Sequence, residues 1–488
     1  MLRYKQKRKC IMETTDRTTL LKSLPQVEEV LKHPIMRALA EDVSHERIAG
    51  AVRDEIGALR TAILADEAPV FDVESIVVGA RARAMGLLKP SLRRLINATG
   101  VVIHTNMGRS VMAPAAIEAV NDAMRGYSTL EYNVDAMARG SRHSHCERLL
   151  CALTGAEAAI AVNNNAAAVI LVLSEFAAGH EAIVSRGELI ELGGSFRIPD
   201  IMRQSQAHMV EVGTTNKTHP HDYANAITDE TAIMLKVHKS NYRIEGFTKE
   251  VSLSEMKEIA LKREEETGQR ILIFEDQGSG CFVRLDRYGD RAEATVAESM
   301  AAGADLVSFS GDKMLGGPQC GVVCGSKELI DRLKKNPLAR VVRLDKMTIA
   351  ALEGTLRLYM QGEEAIQTIP TVRMLGESAE TVRERAEQLK GMIDARIPEG
   401  AATTQVIPEI SRAGGGSLPM YNIDTYAVEI TPVKGSTQEC EEFLTKKCPI
   451  PIVARISRGA VVCDPRTLLD DEELEFVAEG FKAYFESL

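Results

Sequence analysis

Between residues 158 and 325 the chain repeats one pattern seven times: a short apolar run, then a polar or amphipathic stretch. The runs are "AAIAV" at 158–162, "AIVS" at 182–185, "HMVEV" at 208–212, "AIMLKVH" at 232–238, "ILIFED" at 271–276, "DLVSFS" at 305–310 and "CGVVCG" at 320–325. They do not keep the strict alternation of a half-solvated strand, so they read as strands buried on both faces. Helical stretches such as "SLSEMKEIALKREE" (252–265) and "TVAESMAAG" (295–303) separate several of them. This alternation predicts an α/β domain built on a mainly parallel sheet.

The flanks follow other periods. In "SHERIAGAVRDEIGALRTAIL" (44–64), Ile48, Val52, Ile56, Leu59 and Ile63 fall at helical spacing with arginines opposite. "LLKSLPQVEEVLKHP" (20–34) reads as a short helix broken by prolines. We therefore expect a helical module at residues 17–85, preceded by a basic segment at 1–16 without regular structure and closed by the turn signal Lys89-Pro90. The large domain is expected over 86–345. A small α+β domain, opened by the helix "TIAALEGTLRLYM", is expected over 346–488.

Composition narrows the class. A chain of 488 residues, 45% apolar and 26% charged, fits a soluble protein of two or three domains. The longest apolar stretch, "AAAVILVLSEFAAG", is interrupted by Glu175, and the basic N-terminus lacks the apolar core of a signal peptide. Nine cysteines without a C-x-x-C pair fit a reducing, cytoplasmic setting; Cys320 and Cys324 lack metal-ligand partners nearby and read as small buried hydrophobes. The net charge of −10 argues against a DNA-coating surface. Residues 1–95 hold 17 Lys+Arg against 13 Asp+Glu, or +4, leaving −14 for the rest; an anionic partner would therefore meet the N-terminal end.

"SFSGDKMLGGPQ" (308–319) sets a lysine among glycines after a strand. Met314 follows Lys313, which excludes a Walker loop, and the companions of an S-x-x-K acylase are missing. Lysine also forms Schiff bases with carbonyl cofactors, and glycines let backbone approach a ligand closely. Three further strings lie at strand ends, where an open α/β sheet binds ligands. "VNNNAAAV" opens a helix with Asn163, Asn164 and Asn165; it suits a phosphate, or a simple asparagine cap. "VHKSNYR" carries Asn241, able to donate to a phenolate oxygen, and "IFEDQGSG" carries Asp276, able to pair with a protonated pyridine nitrogen. Ser310, three residues before Lys313, can bind phosphate. This order is that of a pyridoxal 5′-phosphate enzyme with an aspartate-aminotransferase-like (fold type I) large domain.

Longer strings carry a more particular likeness. "INATGVVIHTNMGRS", "SRGELIELGGSFRIPD", "VGTTNKTH", "VHKSNYRIEGFT" and "FSGDKMLGGPQCG" together resemble the bacterial L-seryl-tRNA(Sec) selenium transferases, over about residues 17–480. The resemblance implies that Lys313 holds pyridoxal phosphate and that Arg109, Arg340 and Arg343 bind selenophosphate. It implies catalytic work for Asp276, with Asp312 as a helper. It further implies seryl-tRNA(Sec) as substrate, gripped by the N-terminal module, and a homodecamer built from dimers with active sites at the dimer interface. Gln277, Asn133, Met137 and Cys320 depart from the family pattern, and Met137 bears on the shape of the Arg139–Arg142 loop. The rival reading is a pyridoxal-phosphate lyase for a small amino acid or amino-sugar phosphate, which would have little need of residues 17–85.

Overall fold

The computed structural model describes residues 17–65, 69–86, 88–192, 196–239, 242, 244–284, 293–415 and 422–488. Residues 1–16 and Asn241 lie outside the described residues. Two compact units make up the chain, Met1–Arg94 and Leu95–Leu488.

The first unit is helical. Short helices at Arg17–Ser23, Val27–Leu31 and Pro34–Ala38 precede longer ones at His45–Leu64 and Val73–Gly86. Pro25 stands between the first two of these helices, and Pro34 opens the third at its first position, where a missing N–H costs no intrahelical bond. Ile48, Val52 and Ile56 are buried with Val30, Met36, Ile76 and Val77 in one core, and Leu59 packs at its edge. The 3.6-residue spacing read from the sequence is thus the buried face.

In the second unit the seven apolar runs are the seven strands of one sheet. They are β1 (Ala158–Val162), β2 (Glu181–Ser185), β3 (His208–Val212), β4 (Thr231–Val237), β5 (Leu272–Gly278), β6 (Leu306–Ser310) and β7 (Gly321–Gly325). Their spatial order is β1-β7-β6-β5-β4-β2-β3. Only β7 runs against the others, pairing antiparallel with β6 and β1. The carboxyl ends of six strands and the start of β7 therefore share one rim. One face of the sheet packs Ile183, Met234, Ile273 and Phe309, and the other Val184, Leu235, Phe274 and Leu306.

A second sheet orders Arg455–Ser457, Ala460–Cys463, Asn422–Pro432, Ala402–Gly414 and Val101–Ile103. It is covered by Ala379–Asp394 and Asp471–Glu486, whose Leu389, Ile393, Val477 and Phe481 join one core. Two packing facts cut across the division after residue 345 expected from sequence. Helix Lys346–Gln361 buries Ile349, Leu352 and Leu356 in the core of the large sheet. Val101–Ile103 pairs in parallel with the distant Ala402–Gly414. Helical periodicity shows that a face is buried but not what buries it.

Candidate active site

Three segments meet at the shared rim. After β1, Asn164 takes an extended conformation and its side chain accepts from the Ala167 N–H, capping helix Asn165–Phe176. A helix start leaves its first N–H groups without intrahelical partners, and here the Asn164 side chain satisfies that of Ala167. After β5 comes the turn at Gly278, whose φ of +70° suits glycine. Between β6 and β7, Gly311–Cys320 folds back on itself, with the Gly311 N–H on the Cys320 carbonyl at 2.9 Å and the Gly317 N–H on the Gly311 carbonyl at 2.9 Å. The glycines have steric reasons: a Cβ at Gly321 would overlap the Asn164 carbonyl, and Gly316 has a φ of +73°.

At these segments lies a cavity of about 310 Å³, lined by Asn164, Asn165, Asp276, Ser310, Asp312 and Lys313, with Arg109, Phe196, Gly278 and Gln319 also in its lining. Asp276 is 3% exposed and accepts from Asn165 Nδ2 at 2.7 Å. Burial raises its pKa, against the hydrogen bond from Asn165 and the charge of Lys313. Lys313 is 8% exposed, and burial lowers its pKa, opposed by Asp276 and Asp312 and assisted by Arg109. Its amine is neutral at a lower pH than an ordinary lysine's, as a nucleophile requires. Asp312 accepts from Arg109 Nη1 at 2.7 Å through one carboxylate oxygen, while its buried Oδ1 has no partner. Arg109 itself has a φ of 66°, uncommon for a residue with a side chain and a sign of local strain. With Asp312 it also lines a neighbouring cavity of about 380 Å³.

The expected residues are not all brought together. Asn163 is exposed, and its N–H bonds to the Val342 carbonyl at 2.9 Å. Arg340 and Arg343 are exposed and outside the lining of both cavities just described, although Arg343 bridges to Val162 beside the helix start. Sequence reasoning missed Phe196 and Gln319 as lining residues; both lay in strings quoted for the family likeness. Gln277, buried behind Asp276, donates to the Ala294 carbonyl at 2.9 Å, and its Oε1 has no partner. Met137 takes the left-handed conformation with a φ of 46° at the turn between Tyr132–Asn133 and Ala138–Arg139.

The donor set fits pyridoxal phosphate. A buried acid at a strand end, a buried lysine with lowered pKa and a capped helix start surround one cavity, and the buried Asn165 Oδ1 and Asp312 Oδ1 lack partners. A ligand pocket typically starts at about 300 Å³, so the space suits one small ring with its phosphate.

The family model described as L-seryl-tRNA selenium transferase matches residues 95–469, and that described as selenocysteine synthase N terminal matches residues 21–60. The chain belongs to the L-seryl-tRNA selenium transferase family. An L-seryl-tRNA(Sec) selenium transferase of Geobacter sulfurreducens is 46% identical over 459 residues, covering 93% of this chain and 97% of its own. One from Clostridium botulinum (strain Okra) is 44% identical over 467 residues, covering 96% and 99%. Among solved structures, D-glucosaminate-6-phosphate ammonia-lyase aligns with a TM-score of 0.55 at 20% identity, over 83% of this chain and 98% of its own. At that identity the likeness speaks for the fold, which is fold type I of the pyridoxal-phosphate enzymes. No helix among the described residues is long and apolar enough to cross a membrane.

Proposed function

We propose that this chain converts L-seryl-tRNA(Sec) to L-selenocysteinyl-tRNA(Sec), with pyridoxal 5′-phosphate on Lys313 and selenophosphate as selenium donor. The observation that carries the reading is the buried Lys313–Asp276 pair, at one cavity, in a chain 46% identical to a selenium transferase over nearly its whole length. When bound, the cofactor supplies the electron sink for loss of the seryl α-proton and β-hydroxyl. Asp276 holds the proton on the ring nitrogen, and Asn165 fixes the carboxylate. Ser310 and the helix start after Asn164 would bind the phosphate, and Asn241, named from the sequence alone, would donate to the phenolate oxygen. Lys313, once its amine is free, carries the proton between the α-carbon and the hydroxyl, with Asp312 beside it as helper. Selenium would then add at the β-carbon and a proton return to the α-carbon from Lys313, while water takes the phosphoryl group as the P–Se bond breaks, releasing inorganic phosphate.

Arg109 faces the cavity and would hold the donor's oxygens through its planar fork. Arg340 and Arg343 join it in this reading by family likeness. A second copy of the chain would bring them to a site, and Tyr127, Tyr132, Met137 and Val341 are exposed apolar residues suited to being covered. A homodecamer of dimers is the assembly proposed on the same likeness. The module at residues 17–85 grips the tRNA in this reading, supported by its match to the selenocysteine synthase N-terminal model at 21–60. The setting is the cytoplasm.

The test is to supply purified protein and cofactor with selenophosphate and either seryl-tRNA(Sec) or free serine. Selenocysteine should form only on the tRNA. Turnover of free serine or an amino-sugar phosphate, with none on seryl-tRNA(Sec), would replace this reading by the lyase.

A further inference from the structure

Strand register sets Asp276 beside Val237 on one side and Ser308 on the other, and Ser308 beside Val323, itself opposite Ile160. Residues in register across a sheet share one face. Val237, Val323 and Ile160 all belong to one buried apolar core, so the row holds an acid and a hydroxyl side by side between hydrophobic neighbours. Two residues earlier along the strands the same row is Leu235, Phe274 and Leu306, wholly apolar. Ser308 is 0% exposed, and its Oγ has no hydrogen-bond partner among the described residues. A hydroxyl buried in this way costs stability that an alanine would not. The fold alone gives no reason for a serine here.

Asp276 supplies one. Asn165 Nδ2 donates to its Oδ1 at 2.7 Å from the start of the covering helix. Burial raises the pKa of Asp276, while Asn165, Lys313, His238 and the Ser308 hydroxyl each lower it. A carboxylate accepts at two oxygens, so one donor does not saturate it. Neighbouring strands stand about 4.8 Å apart, and a serine hydroxyl reaches a carboxylate across that gap by one staggered rotation. Ser308 is itself outside the lining of the cavity.

We propose that Ser308 is a positioning residue for Asp276: in the loaded enzyme its hydroxyl donates to the Asp276 carboxylate and, with Asn165, holds that group ionised and turned to the ring nitrogen. The proposal rests on the cofactor reading of Lys313 and Asp276 given above. Its reason is the placement of one proton. A buried acid facing a pyridine nitrogen can keep the shared proton for itself, which leaves the ring neutral and a poor electron sink. Each donor to the carboxylate favours the ionised acid and so leaves the proton on nitrogen. Burial pushes the proton one way, and the two donors push it the other.

The test compares the parent, Ser308→Ala, Asp276→Asn and the double variant, each loaded with pyridoxal phosphate carrying a nitrogen-15 label in its ring. The label's resonance reports whether the ring nitrogen holds a proton, and hydroxyl loss from seryl-tRNA(Sec) is timed in a single turnover. Ser308→Ala should move the resonance towards its unprotonated position and slow hydroxyl loss about tenfold, with tRNA affinity unchanged. Ser308→Thr, which keeps the hydroxyl, should restore both. In the Asp276→Asn background the resonance should already be unprotonated, and Ser308→Ala should slow the reaction by less than about twofold. An equal loss with and without Asp276, or a slower reaction with the resonance unmoved, overturns the proposal and assigns the serine to packing. An unchanged rate in Ser308→Ala overturns it as well. If Asp276→Asn itself leaves the resonance protonated, the reading of Asp276 is what fails, and the role of Ser308 falls with it.

Discussion

Asp276 and Asp464 are both buried aspartates following apolar strand segments, and burial raises the pKa of both. Their surroundings differ. Asp464 accepts from Ser411 Oγ at 2.6 Å, Thr425 Oγ1 at 3.1 Å and the Arg466 N–H at 3.0 Å. Arg466, fully buried, donates in turn to Ser411 Oγ at 3.2 Å and to the carbonyls of Met374, Glu377 and Asp424 at 2.8, 3.0 and 2.8 Å. That cluster is closed: it ties the second sheet to residues 374–377 and leaves nothing for a ligand. Around Asp276, by contrast, Asn165 Oδ1 and Asp312 Oδ1 are buried without partners and a cavity opens beside them. Burial of charge therefore does not mark the site. Unmet hydrogen-bonding capacity facing a cavity does, because a stable fold otherwise satisfies its buried polar atoms.

The contrast can be broken from either side. Arg466→Met should have the largest effect on the fold, since it leaves Asp464 buried without its cation: a loss of about 3–5 kcal/mol in denaturant unfolding. A loss below about 1 kcal/mol would mean the closed cluster is not structural. Asp276→Asn should do the reverse, lowering turnover about a hundredfold, or about 2.7 kcal/mol in the barrier, while leaving the fold intact. Its stability should also depend on pH in a definite sense. Asp276's pKa is raised on folding, so its ionisation destabilises the folded chain as pH rises through the folded value. The cofactor-free Asp276→Asn protein should therefore gain over the parent at neutral pH and lose that gain below the ordinary carboxylate range. A gain that grows towards acid would contradict the assignment.

Smaller effects sharpen the picture of the donor site. Arg340→Ala or Arg343→Ala should let the seryl hydroxyl leave while selenium incorporation falls by about 1.5–3 kcal/mol, the worth of a hydrogen bond to a charged group. Failure to release the hydroxyl would move these arginines to tRNA or cofactor binding. Met137→Gly should stabilise the chain by about 1 kcal/mol, because a left-handed residue with a side chain is strained. A lower melting temperature would show that the Met137 side chain contributes more than its strain costs.

Six of the seven strands of the large sheet were legible because they are largely buried on both faces and read as apolar runs, whereas β3, at the sheet edge, leaves His208 and Glu211 exposed and was legible from its place in the alternation. The reversed direction of β7 was not taken up, yet its signal was present: Gly311–Cys320 is too short for the crossover that a parallel pair requires. Asp276 and Lys313 were found from their strand-end positions. The Asn165–Asp276 contact spans 111 residues, and no local pattern carries it. Phe196 and Gln319 went unread for the same reason, since lining a cavity is a tertiary property. Arg340 and Arg343 show the converse: a family likeness names residues that do not line this chain's own cavity.

The most direct test of the account is to reduce the cofactor-loaded protein with borohydride and map the attached pyridoxyl group. The account predicts a yellow protein whose colour is lost on reduction, with the label on the peptide containing Lys313 and none in Lys313→Ala. A label on another lysine, or a colourless protein that takes up no cofactor, would contradict it.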